Sequence, residues 1–130
     1  MKQNPVVHFE MPALDKKRTK KFYETVFGWD MKQLGPEMGE YLLAGTTPVD
    51  DKNMAISPGA INGGFFQKGE QGVIPHIIIS VDNLEEHIEI VKQNGGTVLG
   101  TPMGIPGIGK FVMLIDTEGN HVGMLQPPEM

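Results

Sequence analysis

Two histidines at matching places in a repeated chain are the residues best suited to chemistry. His8 lies in a strand-like run, VVHFEMP, and His76 lies in a second one, PHIIISVD, sixty-eight residues later. At this offset Gly28 also falls on Gly96, and each glycine follows a helix-like segment. Neutral imidazoles ligate divalent metals, so two equivalent strands predict a shared metal site at His8 and His76. The alternative is a pair of hydrogen-bonded polar residues that line a cavity.

A carboxylate and a third histidine are candidates to complete this site. Glu10 is two residues from His8 and therefore on the same face of the strand. His121 shares a strand face with Gly123. Either side chain is a candidate metal ligand, since a working site needs about three protein ligands. Glu10 is favoured instead as a catalytic general base. The structural alternatives are a glutamate that bonds His76 or a helix end, and a histidine in solvent.

The repeat covers residues 4–67 and 73–127, and each copy is predicted to be βαβββ. Asp15 is the predicted cap of a first helix that ends at Phe27, and Asp82 is the predicted cap of the second. The apolar stripe of the first helix is expected to be buried and consists of Phe22, Tyr23, Val26 and Phe27. The buried face expected for the second helix consists of Leu84, Ile88 and Val91. The predicted strands cover residues 6–11, 30–34, 40–44, 60–67, 75–81, 97–99, 109–115 and 121–126.

Neither copy can bury its sheet alone, so a single α+β domain over residues 1–130 is predicted. Its two βαβββ modules would form curved, mixed sheets around a cavity, with a helix on each outer face. Strand alternation directs one set of side chains into this cavity, with His8, Glu10 and His76 among them. The residues assigned to ligand contact are Gly64, Gly123, Ser80 and His121. The two glycines would let a ligand approach the backbone, or they are close-packed strand positions.

The composition restricts the partners. A formal net charge of −5 disfavours nucleic acid, whose phosphates need a basic surface. No apolar run approaches the roughly eighteen residues of a membrane span, and no signal-peptide pattern opens the chain, so no membrane partner is expected. The absence of cysteine excludes disulfides and thiolate metal sites and suits the cytoplasm, where we expect the protein. The expected partner is a small molecule.

Two further segments have compositions that bear on binding. The loop GIPGIGK, residues 104–110, lacks the Lys-Ser/Thr ending and the following helix of a phosphate-binding loop, so a lid or hairpin loop is favoured. The run KKRTKK, residues 16–21, is able to attract an anionic partner, but a solvated outer helix face is the favoured interpretation.

The doubled βαβββ pattern resembles the vicinal oxygen chelate superfamily: glyoxalase I, extradiol dioxygenases, and the bleomycin- and fosfomycin-resistance proteins. The strings that carry the resemblance are HFEMPALDKKRTKKFYETVFGW, PHIIISVDNLEE and DTEGNHVGMLQ. The last is similar to a D-P-E-G-N strand entry of the family, with Thr117 in place of proline. The resemblance covers nearly the whole chain and implies the fold, although this one fold hosts unrelated reactions.

Metal-using members of the superfamily typically take a histidine from the first strand of each half and a carboxylate from the last. The resemblance places His8 and His76 at the histidine positions, and Gly64 and Gly123 near the carboxylate positions. Glycine offers neither charge nor an oxygen ligand. The implied cofactor is therefore a divalent metal (Zn, Ni, Fe or Mn) or none.

The resemblance implies two main functions. The first is a glyoxalase-like small-molecule enzyme, of lyase, isomerase or dioxygenase type, in which a metal stabilises an enediolate and Glu10 moves the proton. A metal-free form of this chemistry would use the same histidine and glutamate. The second is a metal-free binding protein that sequesters a small molecule, like the bleomycin-resistance proteins. A homodimer is expected by analogy.

Overall fold

The computed structural model describes residues 2–52, 55–69, 72–105 and 107–128. The chain forms two compact units. The N-terminal unit is His8–Pro75, and the C-terminal unit joins the residues up to Val7 to those from His76 onward. In both units a helix follows the first strand and three strands follow the helix, so the predicted α+β organisation of two βαβββ modules is confirmed.

The N-terminal unit is a mixed four-stranded sheet with one helix. Its strands lie in the order β2-β3-β4-β1; β1 runs parallel to β4, and the other neighbours are antiparallel. The elements are β1 (Val6–Ala13), α1 (Lys16–Phe27), β2 (Asp30–Gln33), a 3-10 turn (Pro36–Met38), β3 (Leu42–Gly45) and β4 (Asn62–Gln67).

Both predicted ends of α1 are confirmed. The side chain of Asp15 accepts a hydrogen bond from the backbone N–H of Arg18 at 3.0 Å, which satisfies one of the unpaired donors of the first turn. Gly28 ends the helix with a φ of 69°, a left-handed conformation that glycine adopts without a steric penalty.

The predicted burial of the α1 stripe is wrong for three of its four residues. Tyr23 packs into the core, where its ring stacks on Trp29 with centroids 4.7 Å apart. Phe22, Val26 and Phe27 are 52%, 53% and 58% exposed. Neighbouring helix residues are about 100° apart, so the pair Phe22–Val26 forms a separate stripe from Tyr23. Phe27 shares the stripe of Tyr23 but lies in the last turn of α1, where its ring contacts those of Phe22, Tyr23 and Trp29.

The C-terminal unit has the same topology. Its strands lie in the order β6-β7-β8-β5, with β5 parallel to β8 and the other pairs antiparallel. The elements are β5 (His76–Ser80), α2 (Leu84–Gln93), β6 (Thr97–Ile105), β7 (Gly109–Ile115) and β8 (His121–Gln126). Its core contains Leu84, and Ile88 and Val91 pack against it as predicted.

Three predicted boundaries need correction. Asn83, not Asp82, caps α2: it accepts from the N–H of Glu86, while Asp82 pairs with Lys2 at 2.9 Å. β1 continues through Pro12 to Ala13 because its parallel pairing with β4 continues that far. β6 extends to Ile105 because its pairing with β7 resumes after a register shift. Within the described ranges, neither helix is both long and apolar enough to cross a membrane.

Candidate functional site

β1 places His8 and Glu10 on the face that looks away from the N-terminal core. Phe9 and Met11, which alternate with them, pack against the buried cluster that contains Leu42. Because successive side chains of a strand point to opposite sides, His8 and Glu10 share the other face, as the alternation predicts. Both side chains are half-buried.

Tyr41, the residue before β3, joins His8 to Glu10. Its hydroxyl donates a hydrogen bond to Oε2 of Glu10 at 2.7 Å, and Nε2 of His8 lies 3.0 Å from the same hydroxyl oxygen. The rings of His8 and Tyr41 lie within 25° of parallel, with centroids 6.4 Å apart. An imidazole, a phenol and a carboxylate are thus connected in series. We call this group the His8–Tyr41–Glu10 chain.

The direction of these hydrogen bonds places a proton on His8. Tyr41 has one hydroxyl proton and donates it to Glu10, so the contact with His8 requires the imidazole to be the donor. Nε2 of His8 therefore carries hydrogen. A ring nitrogen that carries hydrogen has no lone pair for a metal, so this nitrogen of His8 is committed to Tyr41.

The environment of Tyr41 keeps its phenol neutral. Burial raises the pKa of Tyr41 above its ordinary 10.0, and the charge of Glu10 and the hydrogen bond to it raise this pKa further. The hydroxyl thus stays protonated at neutral pH. Tyr41 is a hydrogen-bond donor in this site and not a base.

Backbone contacts on both sides hold Tyr41 in place. Its carbonyl accepts a hydrogen bond from the N–H of Leu34 at 2.8 Å. The residue before it, Glu40, has a left-handed φ of 55°, and its carbonyl accepts from Nζ of Lys16 at 2.9 Å. The turn between β2 and β3 is therefore tied to the start of α1, and this tie fixes where Tyr41 enters the sheet.

Gly64 provides the space for the Tyr41 ring. The pairing of β3 with β4 sets Leu43 opposite Gly64, so Tyr41, two residues earlier, lies diagonally over Gly64 on the same face. A Cβ atom at Gly64 would collide with ring atoms of Tyr41. The position for which the resemblance implies a carboxylate is thus filled by an aromatic ring from the neighbouring strand. This observation agrees with the close-packed interpretation of the glycine.

The C-terminal unit repeats this arrangement in apolar form. β7 and β8 pair Met113 with Gly123, and Phe111, two residues earlier, takes the place that Tyr41 has in the N-terminal unit. A Cβ atom at Gly123 would lie 2.7 Å from Phe111 and 3.0 Å from Ile78. Ile78 is opposite Gly123 just as Glu10 is opposite Gly64, so a phenylalanine and an isoleucine replace the tyrosine and the glutamate.

The other predicted site residues lie in the C-terminal unit. His76 and Ser80 are the first and last residues of β5, and His121 is the first residue of β8. All three are half-buried. The structure therefore brings together His8 and Glu10 through Tyr41, while a site shared by these residues with His76, Ser80, His121 or Gly123 stays a prediction.

Comparison with known proteins identifies the family. The sequence model of the Glyoxalase/Bleomycin resistance protein/Dioxygenase superfamily matches residues 6–124. The chain belongs to this superfamily. A glyoxylase-like domain-containing protein of Didymella fabae is 35% identical over 118 residues, which cover 85% of this chain and 84% of the relative. The resemblance seen in the sequence is confirmed.

Solved structures share the superfamily fold at low sequence identity. A hypothetical protein from Bacillus halodurans C-125 superposes with a TM-score of 0.69 at 18% identity, covering 99% of this chain and 98% of that one. Methylmalonyl-CoA epimerase from Mycobacterium tuberculosis superposes with a TM-score of 0.68 at 13% identity, covering 95% and 88%. A variant of the enzyme of the same name from Streptomyces coelicolor, in complex with 2-nitronate-propionyl-CoA, reaches 0.69 at 14%, covering 95% and 97%. These identities show a common fold.

Two of the four ligand positions that the resemblance implies hold glycine in this member, Gly64 and Gly123. In residues 2–52, 55–69, 72–105 and 107–128, no three histidine, aspartate or glutamate side chains are grouped so as to hold a metal ion. Within the N-terminal unit, Nε2 of His8 donates to Tyr41, and Gly64 supplies no ligand. A metal at His8 would therefore have to bind the other ring nitrogen, Nδ1. A metal at His8 and His76 stays a prediction.

Tyr41 is the site residue that the sequence analysis missed. Its partners His8 and Glu10 are 33 and 31 residues away in the sequence, so no local spacing indicates the contact. The internal repeat does contain a signal. If YLLAG is aligned with FVMLI, Tyr41 falls on Phe111. The N-terminal copy therefore has a tyrosine where the C-terminal copy has a phenylalanine, and its hydroxyl group makes the N-terminal copy the polar one.

Proposed function

We propose that this superfamily member is a small-molecule enzyme that moves a proton on a carbon next to a carbonyl group, with Glu10 as the base. The single observation that carries the proposal is the His8–Tyr41–Glu10 chain on the face of β1 opposite the N-terminal core. Tyr41 orients the carboxylate of Glu10, and His8 orients Tyr41. Tyr41 and His8 are therefore positioning residues.

The proposed step balances without an added reactant. The C–H bond beside the carbonyl breaks, and its proton forms an O–H bond on Glu10. The electron pair of the broken bond moves into the carbonyl group, which becomes an enolate. The carboxylic acid of Glu10 then returns the proton to the neighbouring carbon while the hydroxyl proton of the substrate passes to the enolate oxygen, which gives an isomerisation. When a water molecule instead protonates the original carbon on its opposite face, Glu10 passes its proton to the hydroxide left behind, and the result is an epimerisation. The overall reaction is an isomerisation or an epimerisation.

The burial and the charges of the chain suit this step. All three side chains are half-buried, so the group is partly shielded from water and still reachable by a substrate. The phenol of Tyr41 stays neutral because its pKa is raised, and it therefore cannot compete with Glu10 for the proton of the substrate. The hydrogen bond from Tyr41 holds the carboxylate of Glu10 in one orientation before a substrate binds.

The comparisons support this class of reaction without assigning it. Solved proteins with the same fold include methylmalonyl-CoA epimerases, and an epimerase inverts the configuration of one carbon, which the proposed proton removal by Glu10 achieves when water protonates the opposite face. In the C-terminal unit the equivalent positions hold Phe111 and Ile78. The proposal thus has one base per chain.

Proton exchange in heavy water tests the proposal. The protein is incubated in D2O with a panel of small 2-oxo acids and α-hydroxy ketones, and replacement of C–H by C–D is followed by NMR. Glu10→Gln should slow the exchange by roughly 100-fold or more, the usual contribution of a general base. Tyr41→Phe should slow it by a smaller factor, because it leaves the base but removes its orienting bond.

Other outcomes lead to other functions. A compound that binds without proton exchange would oppose the enzyme and favour the sequestering protein. Exchange that a chelator abolishes and Zn, Ni, Fe or Mn restores would favour the metal-assisted form of the enzyme. Exchange that survives in Glu10→Gln would remove Glu10 from the role of base.

A further inference from the structure

The outward face of α1 combines exposed apolar side chains with unneutralised positive charge. Phe22 and Val26 are 52% and 53% exposed although both are apolar. They lie in an open groove whose lining residues are Arg18, Lys21, Phe22, Thr25 and Val26. These residues are spaced three or four apart and therefore occupy one side of the helix. We call this side the α1 surface.

The positive charge of α1 is concentrated where it does not help the helix. Five of the eleven lysines and arginines of the chain fall within residues 16–21. No acidic residue lies in the first turn of α1, although the helix dipole favours acids at this end and disfavours cations. α2 follows the favourable arrangement, with Glu85 and Glu86 in the first turn and Lys92 in the last. Helix stability therefore does not account for the basic run of α1.

Four of these five cations form no salt bridge with the described residues. Lys16 donates to the backbone carbonyls of Gly39 and Glu40. Within the described part of the chain, no salt bridge involves the other four, which are Lys17, Arg18, Lys20 and Lys21. The rest of the chain is strongly acidic, because the total is −5 and residues 16–21 alone contribute +5. The α1 surface is thus a local cationic and apolar patch on an acidic protein.

We propose that the α1 surface docks on an anionic lipid surface. Phe22 and Val26 would enter the boundary between headgroups and acyl chains, while Arg18 and Lys21 extend to the phosphates. Every described residue that lines the groove belongs to α1, so no opposite wall exists to grip a peptide or to enclose a small ligand. A planar surface needs no such wall. The cations also lie at several angles around the helix, which suits a continuous sheet of negative charge.

This contact differs from the one that the sequence argues against. The expectation of no membrane partner rests on the lack of a spanning apolar run. A helix that lies on the surface needs only one exposed apolar stripe with flanking cations, and α1 supplies both. The inference is independent of the proposed proton transfer, since it uses no residue of the His8–Tyr41–Glu10 chain.

Vesicle sedimentation tests the proposal. The full chain is mixed with phosphatidylcholine vesicles with or without about 30% phosphatidylserine, at low salt and at about 0.5 M salt, where exposed charges are screened. Binding is expected only to the anionic vesicles and only at low salt. The double variant Arg18→Glu, Lys21→Glu should reduce the bound fraction at least fivefold, and Phe22→Ser should reduce it while leaving the charge unchanged.

A matched control separates the patch from net charge. The double variant Lys32→Glu, Lys68→Glu makes the same charge change at two exposed positions outside α1, and it should bind within twofold of the parent. Circular dichroism verifies that each variant is folded.

Equal loss of vesicle binding in both double variants, or no binding of the parent to anionic vesicles at low salt, would overturn the proposal. So would retention on immobilised poly-glutamate without vesicle binding, which would assign the surface to an acidic protein. A dimer that dissociates in Arg18→Glu, Lys21→Glu would overturn it by assigning the surface to a second copy.

Discussion

The ring of Tyr41 lies over Gly64, and the absence of a side chain at Gly64 is what allows it. Tyr41 immediately precedes β3, Gly64 lies in the adjacent strand β4, and their diagonal placement follows from the pairing of Leu43 with Gly64. The same ring carries the hydroxyl that joins His8 to Glu10. The glycine at position 64 and the hydrogen bonds of Tyr41 to His8 and Glu10 are therefore parts of one arrangement.

Gly64→Ala should destabilise the protein by about 1–3 kcal/mol, the usual cost of overpacking a well-packed site. The added methyl group would displace the Tyr41 ring and lengthen its bonds to His8 and Glu10. Urea unfolding measures the change in the free energy of unfolding. Gly104→Ala is the matched control, because a Cβ atom at this exposed strand position meets nothing within 4 Å. Equal effects of the two substitutions would contradict the close packing.

Tyr41→Phe should destabilise the protein by about 1–3 kcal/mol, because it leaves Glu10 and His8 without their shared partner. The phenyl ring still fills the space over Gly64, so the change in the free energy of unfolding measures the contribution of the hydroxyl group alone. Tyr23→Phe removes a hydroxyl for which no hydrogen bond occurs among the described residues, and it should cost less than about 0.5 kcal/mol. Thermal or urea unfolding of the two variants compares them directly. A Tyr41→Phe protein as stable as the parent would argue against a hydrogen-bonded chain.

The alkaline stability of the protein should depend on Tyr41. Its pKa in the folded protein is raised above the ordinary 10.0, mainly by burial and then by Glu10. A phenol with a raised pKa contributes stability that is fully present below about pH 10, and this stability is lost as pH rises above that value. The free energy of unfolding of the parent should therefore fall relative to Tyr41→Phe by up to about 1.4 kcal/mol per pH unit above about pH 10. Denaturant unfolding between about pH 8 and about pH 11 measures this difference, and parallel curves would contradict it.

The sequence predicts the fold well because the fold rests on periodicity and repetition. The repeat identifies both βαβββ modules, and strand alternation correctly puts Phe9 in the core and Glu10 on the other face. Tyr41 was missed because its role depends on a tertiary contact across three strands. The burial of Phe22, Val26 and Phe27 was predicted wrongly for a related reason. The sequence shows that these residues are apolar, but the width of the helix face that the sheet covers depends on tertiary packing.

The repeat-equivalent glycine allows a rescue experiment. Gly123→Ala should destabilise the protein by about 1–3 kcal/mol, because its methyl group would lie 2.7 Å from Phe111. Phe111→Leu shortens the side chain that is in the way, so the double variant should recover part of the loss. A double-mutant cycle from urea unfolding measures the coupling, expected at about 0.5–3 kcal/mol for residues in contact. Simple additivity would show that Phe111 does not fill the space above Gly123.

The protonation of His8 gives the most direct view of the site. Because Tyr41 donates its only hydroxyl proton to Glu10, neutral His8 should carry its hydrogen on Nε2. Nitrogen-15 NMR distinguishes the two neutral tautomers of each of the four histidines. In Tyr41→Phe the His8 signals should move toward a mixture of tautomers, whereas those of His87, on the other unit, should stay unchanged. Addition of Zn²⁺ supplies the opposing outcome: a metal-induced shift of the Nε2 signal of His8, together with the His76 signals, at one equivalent would place a metal on Nε2 and contradict the assignment of this nitrogen to Tyr41.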